Sequence, residues 1–254
     1  MIDRAAITVL WLREMKRFVR AKSRIIGALA MPLFFLGFLG MGFRRMAIPG
    51  MGEGVGYLQF LVPGILGMSL LFSSTFGGLS VLWDREFGFL KEIMVAPVSR
   101  VSIVLGRIAG GVTTSMIQGM LLFGISFLMG FRLRSLPMLL LALVFMTLIS
   151  VTFLGLGLVF ASMMKDMQGF SIVMNFVIFP LFFLSGSLYP LDNFPAWLRA
   201  LSYLDPLTYG IDGIRAALIG YSSFSLLFNL VVMGCFALGM IFLGAFLFER
   251  SESV

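Results

Sequence analysis

Hydrophobic residues along the chain are gathered into six long, continuous runs. A helix needs about 20 residues to cross the hydrocarbon core of a bilayer, so each run is long enough for one crossing and too short for two with a turn. The runs are rich in Leu, Phe, Met and Gly, whereas strands of a membrane barrel alternate over about 10 residues. The pattern predicts an all-α membrane protein with six transmembrane helices, over about residues 25–43, 57–83, 103–130, 136–162, 168–187 and 224–248.

Composition agrees with a chain that is surrounded mostly by lipid. Hydrophobic residues make up 59% of the chain and charged residues 12%, against roughly 45–50% and 25% in soluble domains. The single cysteine, Cys235, excludes a disulfide within the chain, and the lack of histidine excludes His-ligated metals and histidine-assisted nucleophiles. The sequence also has no GxxxxGKS or GxxxxGKT loop for the phosphates of ATP. We therefore expect no catalytic, cofactor-binding or metal site, and the chain is not predicted to be an enzyme.

Ionisable groups within the membrane are the usual mark of an ion-coupled transporter. None lies deep in the predicted spans, so an ion-coupled pump is disfavoured and energy would have to come from outside the chain. The net charge of +7 could attract nucleic acid or anionic lipid. In a membrane protein, however, the placement of positive charge reflects topology, and no nucleic-acid partner is expected.

Lysine and arginine between the runs predict the orientation. With a cytoplasmic N-terminus, the inner segments carry 13 of these residues and the outer segments carry 6. Cytoplasmic loops of membrane proteins are enriched in Lys and Arg. We therefore expect a single transmembrane domain over residues 1–254, in the plasma membrane, with both termini in the cytoplasm.

Residues 1–24 are too charged to span a membrane, but they are patterned. On a helical projection the large apolar side chains, Trp11 among them, fall in one arc, and most basic side chains fall in the opposite arc. The pattern predicts an N-terminal amphipathic interfacial helix, with its apolar side among membrane lipid headgroups. The helix is either a simple anchor or also a contact for a partner. Its candidate residues are Trp11, Arg13, Lys16, Arg17 and Arg20.

The segment 84–100 joins the second and third runs and is longer than a turn requires. A helix is predicted over Asp84–Ala96, ended by Pro97, and Ser99 suits the N-cap of the next helix. Charges lie on one side of the predicted helix, and large apolar side chains lie on the other, a pattern that fits the groove of another protein. A solvated loop helix is the alternative.

The segment 188–220, before the last run, is apolar and aromatic but contains three prolines, Pro190, Pro195 and Pro206. A spanning helix does not tolerate that density of proline. Two short helices are predicted instead, roughly Pro195–Tyr203 and Pro206–Ile219. Irregular backbone at membrane depth is stable only inside protein or beside a water-filled cavity. We interpret the segment as external re-entrant helices that form an outer gate, or else as a loop that caps the bundle.

These pieces, in this order, resemble the membrane subunit of the type-two ABC exporter family, the permeases that export drugs and polysaccharides. The segments Asp84–Arg100 and Ser185–Arg215 carry the most specific part of the resemblance. It implies a separate nucleotide-binding ATPase subunit, which would bind ATP and Mg, and a second copy of the permease or a related permease. It also implies that the N-terminal helix contacts the ATPase and that the segment after the second span is a cytoplasmic coupling helix.

The resemblance assigns the remaining candidate residues. Those of ATPase coupling are Arg85, Glu86, Phe87, Gly88, Leu90, Glu92 and Met94. Those of the external gate are Ser185, Gly186, Pro190, Pro195, Pro206, Tyr209 and Arg215.

The predicted function is therefore that of a permease subunit, powered by a separate ATPase, which exports an amphipathic or lipid-like substrate. A drug-type substrate is favoured. A polysaccharide or lipid-linked glycan exporter of the same family is one alternative. A membrane scaffold that recruits a cytoplasmic partner without transport is the other.

Overall fold

The structure is a computed structural model, which describes residues 3–43, 56–86, 99–164 and 166–251. Its regular elements in these ranges are helices. They are α1 (Arg4–Arg20), α2 (Lys22–Gly42), α3 (Tyr57–Glu86), α4 (Arg100–Leu128), α5 (Pro137–Met163), α6 (Met167–Val173), a π-helical turn (Met174–Ile178), α7 (Phe179–Leu184), a 3-10 turn (Leu191–Asn193), α8 (Ala196–Ser202), α9 (Pro206–Ile219) and α10 (Leu226–Ser251).

Six stretches of these helices are long and apolar enough to cross a membrane. The fifth stretch consists of α6, the π-helical turn and α7 in succession, and the other five belong to α2, α3, α4, α5 and α10. The prediction of an all-α protein with six membrane-crossing helices is confirmed.

Local chemistry explains where several helices begin and end. The Ser99 side chain accepts a hydrogen bond from the backbone N–H of Ser102, so the predicted N-cap of α4 is confirmed. Asp3 caps α1 in the same way, accepting from the N–H of Ala5 at 2.9 Å. Gly220 ends α9 in the left-handed region at φ 74°, where glycine has no steric penalty.

Helices α3 and α5 form the centre of the bundle. About 76% of the apolar stretch of α3 is buried, against 22% for α2, 22% for the fifth stretch and 17% for α10. A Cβ atom at Gly78 of α3 would lie only 2.3 Å from the backbone of Gly157 in α5. Lipid gives apolar helices little reason to associate, so such close backbone packing contributes to the cohesion between spans.

The predicted coupling segment lies mostly outside the described residues. Arg85 and Glu86 are the last two residues of α3, which therefore continues past Asp84. The other predicted coupling residues fall in the range 87–98, which the structure does not describe. They are Phe87, Gly88, Leu90, Glu92 and Met94.

Candidate functional site

The N-terminal helix α1 packs along the first turns of α4. The backbone N–H of Asp3 donates to Ser102 Oγ at 2.8 Å, and Trp11 Nε1 donates to Thr113 Oγ1 at 3.1 Å. A Cβ atom at Gly106 would lie 2.9 Å from Leu10 Cβ, so the missing side chain lets the two helices approach. In these contacts, higher residue numbers in α1 pair with higher residue numbers in α4. The two helices therefore run in the same direction.

A cluster of three charged side chains joins α1, α3 and α4. Asp84, near the end of α3, forms ion pairs with Arg13 of α1 and, at 2.9 Å, with Arg107 of α4. Asp84 is 7% exposed. Charges in such a setting are stable only when they are paired, so Asp84 fixes α1 and α4 against the base of α3. We call Arg13, Asp84 and Arg107 the ion-pair cluster.

The basic side chains of α1 have different surroundings in the structure. Arg13 belongs to the ion-pair cluster, and the guanidinium of Arg17 lies 5.0 Å from the ring centre of Trp83 in α3. Lys16 and Arg20 are exposed. An open, basic concavity on the outer side of α1 contains all four of these side chains. Such a surface can attract acidic protein or anionic lipid.

A cleft of about 450 Å³ lies between α1, α2, α3 and α4, beside the ion-pair cluster. Its walls are mainly apolar, with a few polar groups. The aromatic and methionine side chains are Phe18, Met31, Met68, Phe72, Phe76 and Trp83. The polar and charged side chains are Glu14, Ser73, Ser80, Thr114 and Gln118. Clefts with apolar walls and few polar groups are typical of sites for small amphipathic ligands.

The predicted gate residues Ser185, Gly186 and Arg215 come together in the structure. Arg215 Nη2 donates to the carbonyl oxygen of Gly186 at 3.0 Å, and its guanidinium lies 3.7 Å from the ring centre of Phe60 in α3. Ser185 is buried and donates to the carbonyl of Phe182. These contacts hold residues 185–188 between α3 and α9.

Helix α3 approaches this segment very closely. A Cβ atom at Gly64 would lie 2.0 Å from the carbonyl oxygen of Ser187, so no larger residue fits there without a shift of the backbone. Tyr57, at the start of α3, donates its hydroxyl to the carbonyl of Leu188 at 3.1 Å. We call residues 185–188 with Tyr57, Phe60 and Arg215 the clamp.

The three prolines among the predicted gate residues mark the beginnings of short elements. Pro190 precedes the 3-10 turn, Pro195 precedes α8, and Pro206 is the first residue of α9. Tyr209 is buried and donates its hydroxyl to the carbonyl of Tyr203 at 2.7 Å. These residues shape the segment before the last span but do not join the clamp.

Helix α9 lies inside the bundle against α3, α5 and α10, and it brings a buried carboxylate with it. Asp212 is 3% exposed. It accepts hydrogen bonds from the backbone N–H groups of Ser223 and Phe224, at 2.8 and 3.1 Å, and from Asn229 Nδ2 at 2.8 Å. Sequence reasoning missed Asp212. The only signal was its position three residues before Arg215, on the same side of a predicted helix.

Burial alters the chemistry of Asp205 at the start of α9. It raises the pKa of this carboxyl group to about 8, although the hydrogen bond from the backbone N–H of Leu207 acts in the opposite direction.

Among the described residues there is no group of three or more His, Cys, Asp or Glu side chains that could hold a metal ion.

Comparison with known proteins gives relatives along nearly the whole chain. Residues 5–219 match the family described as ABC-2 type transporter. The chain is 29% identical to the inner membrane transport permease YadH of Escherichia coli strain K12, over 98% of this chain and 96% of the relative. It is 26% identical to nodulation protein J of Sinorhizobium fredii, over 94% of this chain and 91% of the relative. It is 28% identical to nodulation protein J of Rhizobium meliloti, with 91% and 87% covered.

Proposed function

The chain belongs to the ABC-2 type transporter family, and from this membership we propose that it is the permease subunit of an ATP-driven exporter in the plasma membrane. The proposed substrate is amphipathic or lipid-like and of drug type. The ion-pair cluster is the observation that carries the proposal, because it fixes two other helices to the end of α3, next to the proposed coupling segment. The aromatic cleft beside the cluster supports a substrate of this kind.

The energy for export is proposed to come from a separate ATPase subunit that binds ATP and Mg. Members of this family normally pair with such a subunit, and this sequence has no phosphate-binding loop of its own. The proposed contacts are the segment 84–100 and the basic concavity of α1. Both contacts require the cytoplasmic orientation of the termini that the distribution of Lys and Arg favours.

Helix α3 is the proposed route by which motion of the coupling segment reaches the clamp. It is a continuous helix of 30 residues, roughly 45 Å long. Asp84 lies near one end and Tyr57 and Phe60 lie at the other, in the clamp. A displacement of the coupling segment by the ATPase would therefore be carried along α3 to the clamp, which is proposed as the outer gate.

A second permease copy, or a related permease, is proposed to cover two of the poorly buried spans, α2 and the fifth span. The large apolar side chains of α2 and of the fifth span are exposed on the surface of the single chain. They include Ile26, Phe34, Phe38, Met41, Ile172, Phe176 and Phe183. Lipid can cover such side chains too, so these spans support a dimer without defining its interface.

The test is co-purification with the nucleotide-binding ATPase subunit encoded nearest to this chain. We expect the purified permease alone to hydrolyse no ATP and the two proteins together to form an ATP-hydrolysing complex. Glu86→Lys places the wrong charge at the proposed contact and should abolish the complex. Glu252→Lys is the matched control, because it makes the same change in the predicted cytoplasmic tail. Full complex formation by Glu86→Lys would contradict the coupling assignment, and ATP hydrolysis by the permease alone would contradict the function.

A further inference from the structure

The cleft between α1, α2, α3 and α4 contains an amide oxygen without a donor. Gln118 of α4 is 6% exposed, and its Oε1 accepts no hydrogen bond from any residue that the structure describes. The hydroxyls of Ser80 and Thr114 differ, because they donate to backbone carbonyls of their own helices at 2.7 and 2.9 Å. A buried acceptor that lacks a donor is costly. Gln118 is therefore placed to accept a hydrogen bond from a ligand.

The one charged side chain among the described residues that line the cleft is a carboxylate. Glu14 of α1 lines the cleft, and no Lys or Arg is found among its described lining residues. Three arginines lie nearby: Arg13 and Arg107 pair with Asp84, and Arg17 lies over the ring of Trp83. Arg107 also attracts Glu14, but Asp84 is its stronger counter-charge. An anionic group in this cleft would meet acceptors and a carboxylate, whereas a cation would meet a complementary charge.

The two polar groups lie at different depths. Glu14 packs against Gly110 of α4, where a Cβ atom would lie 2.8 Å from Glu14 Cβ. Gln118 is about two helical turns farther along α4, roughly 12 Å by helical rise. The rings of Phe72 and Phe76 line the same cleft. A fitting ligand thus has a cationic group, an apolar body and a hydrogen-bond donor at the far end.

We infer that this cleft binds an amphipathic amine, with its cationic group at Glu14, its aromatic or aliphatic body along Phe72 and Phe76, and an N–H donor at Gln118 Oε1. This inference rests on the proposed exporter function and names the substrate class. The ammonium group could belong to a soluble amphipathic amine or to an aminolipid, since both present the same chemistry to Glu14.

The experiment compares three xanthene dyes of similar shape on the wild-type permease in phosphatidylcholine nanodiscs, with empty nanodiscs as the blank. Rhodamine 6G is a cation with N–H donors, tetramethylrhodamine ethyl ester is a cation without them, and fluorescein ethyl ester is an anion. Fluorescence polarisation should give the tightest binding for rhodamine 6G and the weakest for the fluorescein ester. Equal binding of all three dyes to the wild-type permease would overturn the inference.

Substitutions then assign the two polar contacts. Glu14→Gln should weaken binding of both cationic dyes about tenfold. Gln118→Met keeps the shape of the side chain and removes the acceptor, so it should weaken rhodamine 6G about fivefold and leave tetramethylrhodamine ethyl ester unchanged. That unchanged binding also shows that the variant is folded. The matched controls are Asp192→Asn and Gln168→Met, whose side chains are exposed and lie outside the cleft. Wild-type affinities in both cleft variants would overturn the assignment.

Adding phosphatidylethanolamine to the nanodiscs distinguishes the two sources of the amine. Competition with rhodamine 6G supports an aminolipid as the occupant, and lack of competition supports a soluble amine.

Failure of the proposed site can be distinguished from failure of the proposed exporter function. If the dyes bind as expected but no ATPase associates, the site stands and the exporter function fails. If ATP-driven export of another compound occurs while the dyes do not bind selectively, the site fails and the exporter function stands.

Discussion

Asp84 is the counter-charge of two arginines from different helices, Arg13 of α1 and Arg107 of α4. Replacing it with alanine would leave Arg107 buried without its counter-charge. Breaking a buried ion pair costs about 3–5 kcal/mol, so we expect Asp84→Ala to lower the free energy of unfolding by about 3 kcal/mol. Thermal unfolding of the purified permease measures the change, with the exposed Asp192→Ala as control. Equal melting temperatures for Asp84→Ala and the wild type would contradict a structural role for the cluster.

A double variant tests whether charge or side-chain packing accounts for the role of the ion-pair cluster. In Asp84→Leu with Arg107→Met, both buried charges are replaced by apolar side chains of similar size. Such replacements are often neutral or stabilising. We expect this double variant to unfold at a higher temperature than Asp84→Ala. A still lower melting temperature would mean that the side-chain shapes, not the charges, hold α1 and α4 to α3.

Asp205 gives the protein a pH dependence of its own. Its pKa is about 8 in the folded protein, against an ordinary value of 3.8. Between these values the folded protein holds a proton that the unfolded chain releases, so the free energy of unfolding falls as the pH rises through this window, by at most about 1.4 kcal/mol per pH unit. Asp205→Asn keeps an N-cap acceptor for Leu207 but cannot ionise.

We therefore expect the melting temperature of Asp205→Asn to exceed that of the wild type by a margin that grows from pH 5 to pH 8. The comparison uses the same detergent and ionic strength at each pH. The exposed Asp192→Asn should show no growing margin. A margin for Asp205→Asn that stays constant from pH 5 to pH 8 would show that the carboxyl group is ionised throughout this range, and would contradict the raised pKa.

At the scale of whole helices, the contact between α1 and α4 depends on Gly106. A Cβ atom there would lie 2.9 Å from Leu10 Cβ and 3.2 Å from the backbone of Ile7. Gly106→Ala should therefore push α1 away and lower stability by about 1–3 kcal/mol. Gly124 of α4 has nothing within 4 Å of its Cβ position, so Gly124→Ala is the matched control. Similar melting temperatures for both variants would contradict the close packing of α1.

The positions of the helices could be predicted from the sequence because lipid imposes simple rules. A charge-free run has to span, and Pro195 and Pro206 have to begin helices rather than interrupt them. The packing could not be predicted in this way. Asp212 and Arg215 lie between runs, where charge suggests exposure, yet α9 is buried because each has internal partners.

The amphipathic pattern of α1 has the same limitation. It indicated a helix with a solvated basic face, but it could not show that Arg13 pairs with Asp84, which lies 71 residues farther along the chain. Long-range pairing of charges leaves no periodic signal in a single sequence. The cleft likewise arises from four helices together, and Gln118 reads in the sequence only as a polar residue within a span.

For the molecule as a whole, the orientation in the membrane is open to direct labelling. Cys235 is exposed on α10 and should first be replaced by alanine. In that background, cysteine at Asn193 should react with a membrane-impermeant maleimide in intact cells. Cysteine at Glu92 should react only after permeabilisation, because positive charge favours the cytoplasmic side for its segment. The reverse pattern would invert the topology and place the clamp at the cytoplasmic face.

The measurement closest to the central claim is ATP-driven transport by the permease together with its ATPase subunit in inside-out vesicles. A panel of fluorescent drugs and short-chain lipids is offered, with wild-type permease and with Phe87→Ala. We expect ATP-dependent uptake of at least one amphipathic compound by the wild type. Phe87→Ala should reduce this uptake about tenfold, since a large apolar contact in a partner groove contributes roughly 1–3 kcal/mol. Undiminished uptake by Phe87→Ala, or ATP hydrolysis without uptake of any compound, would contradict the account.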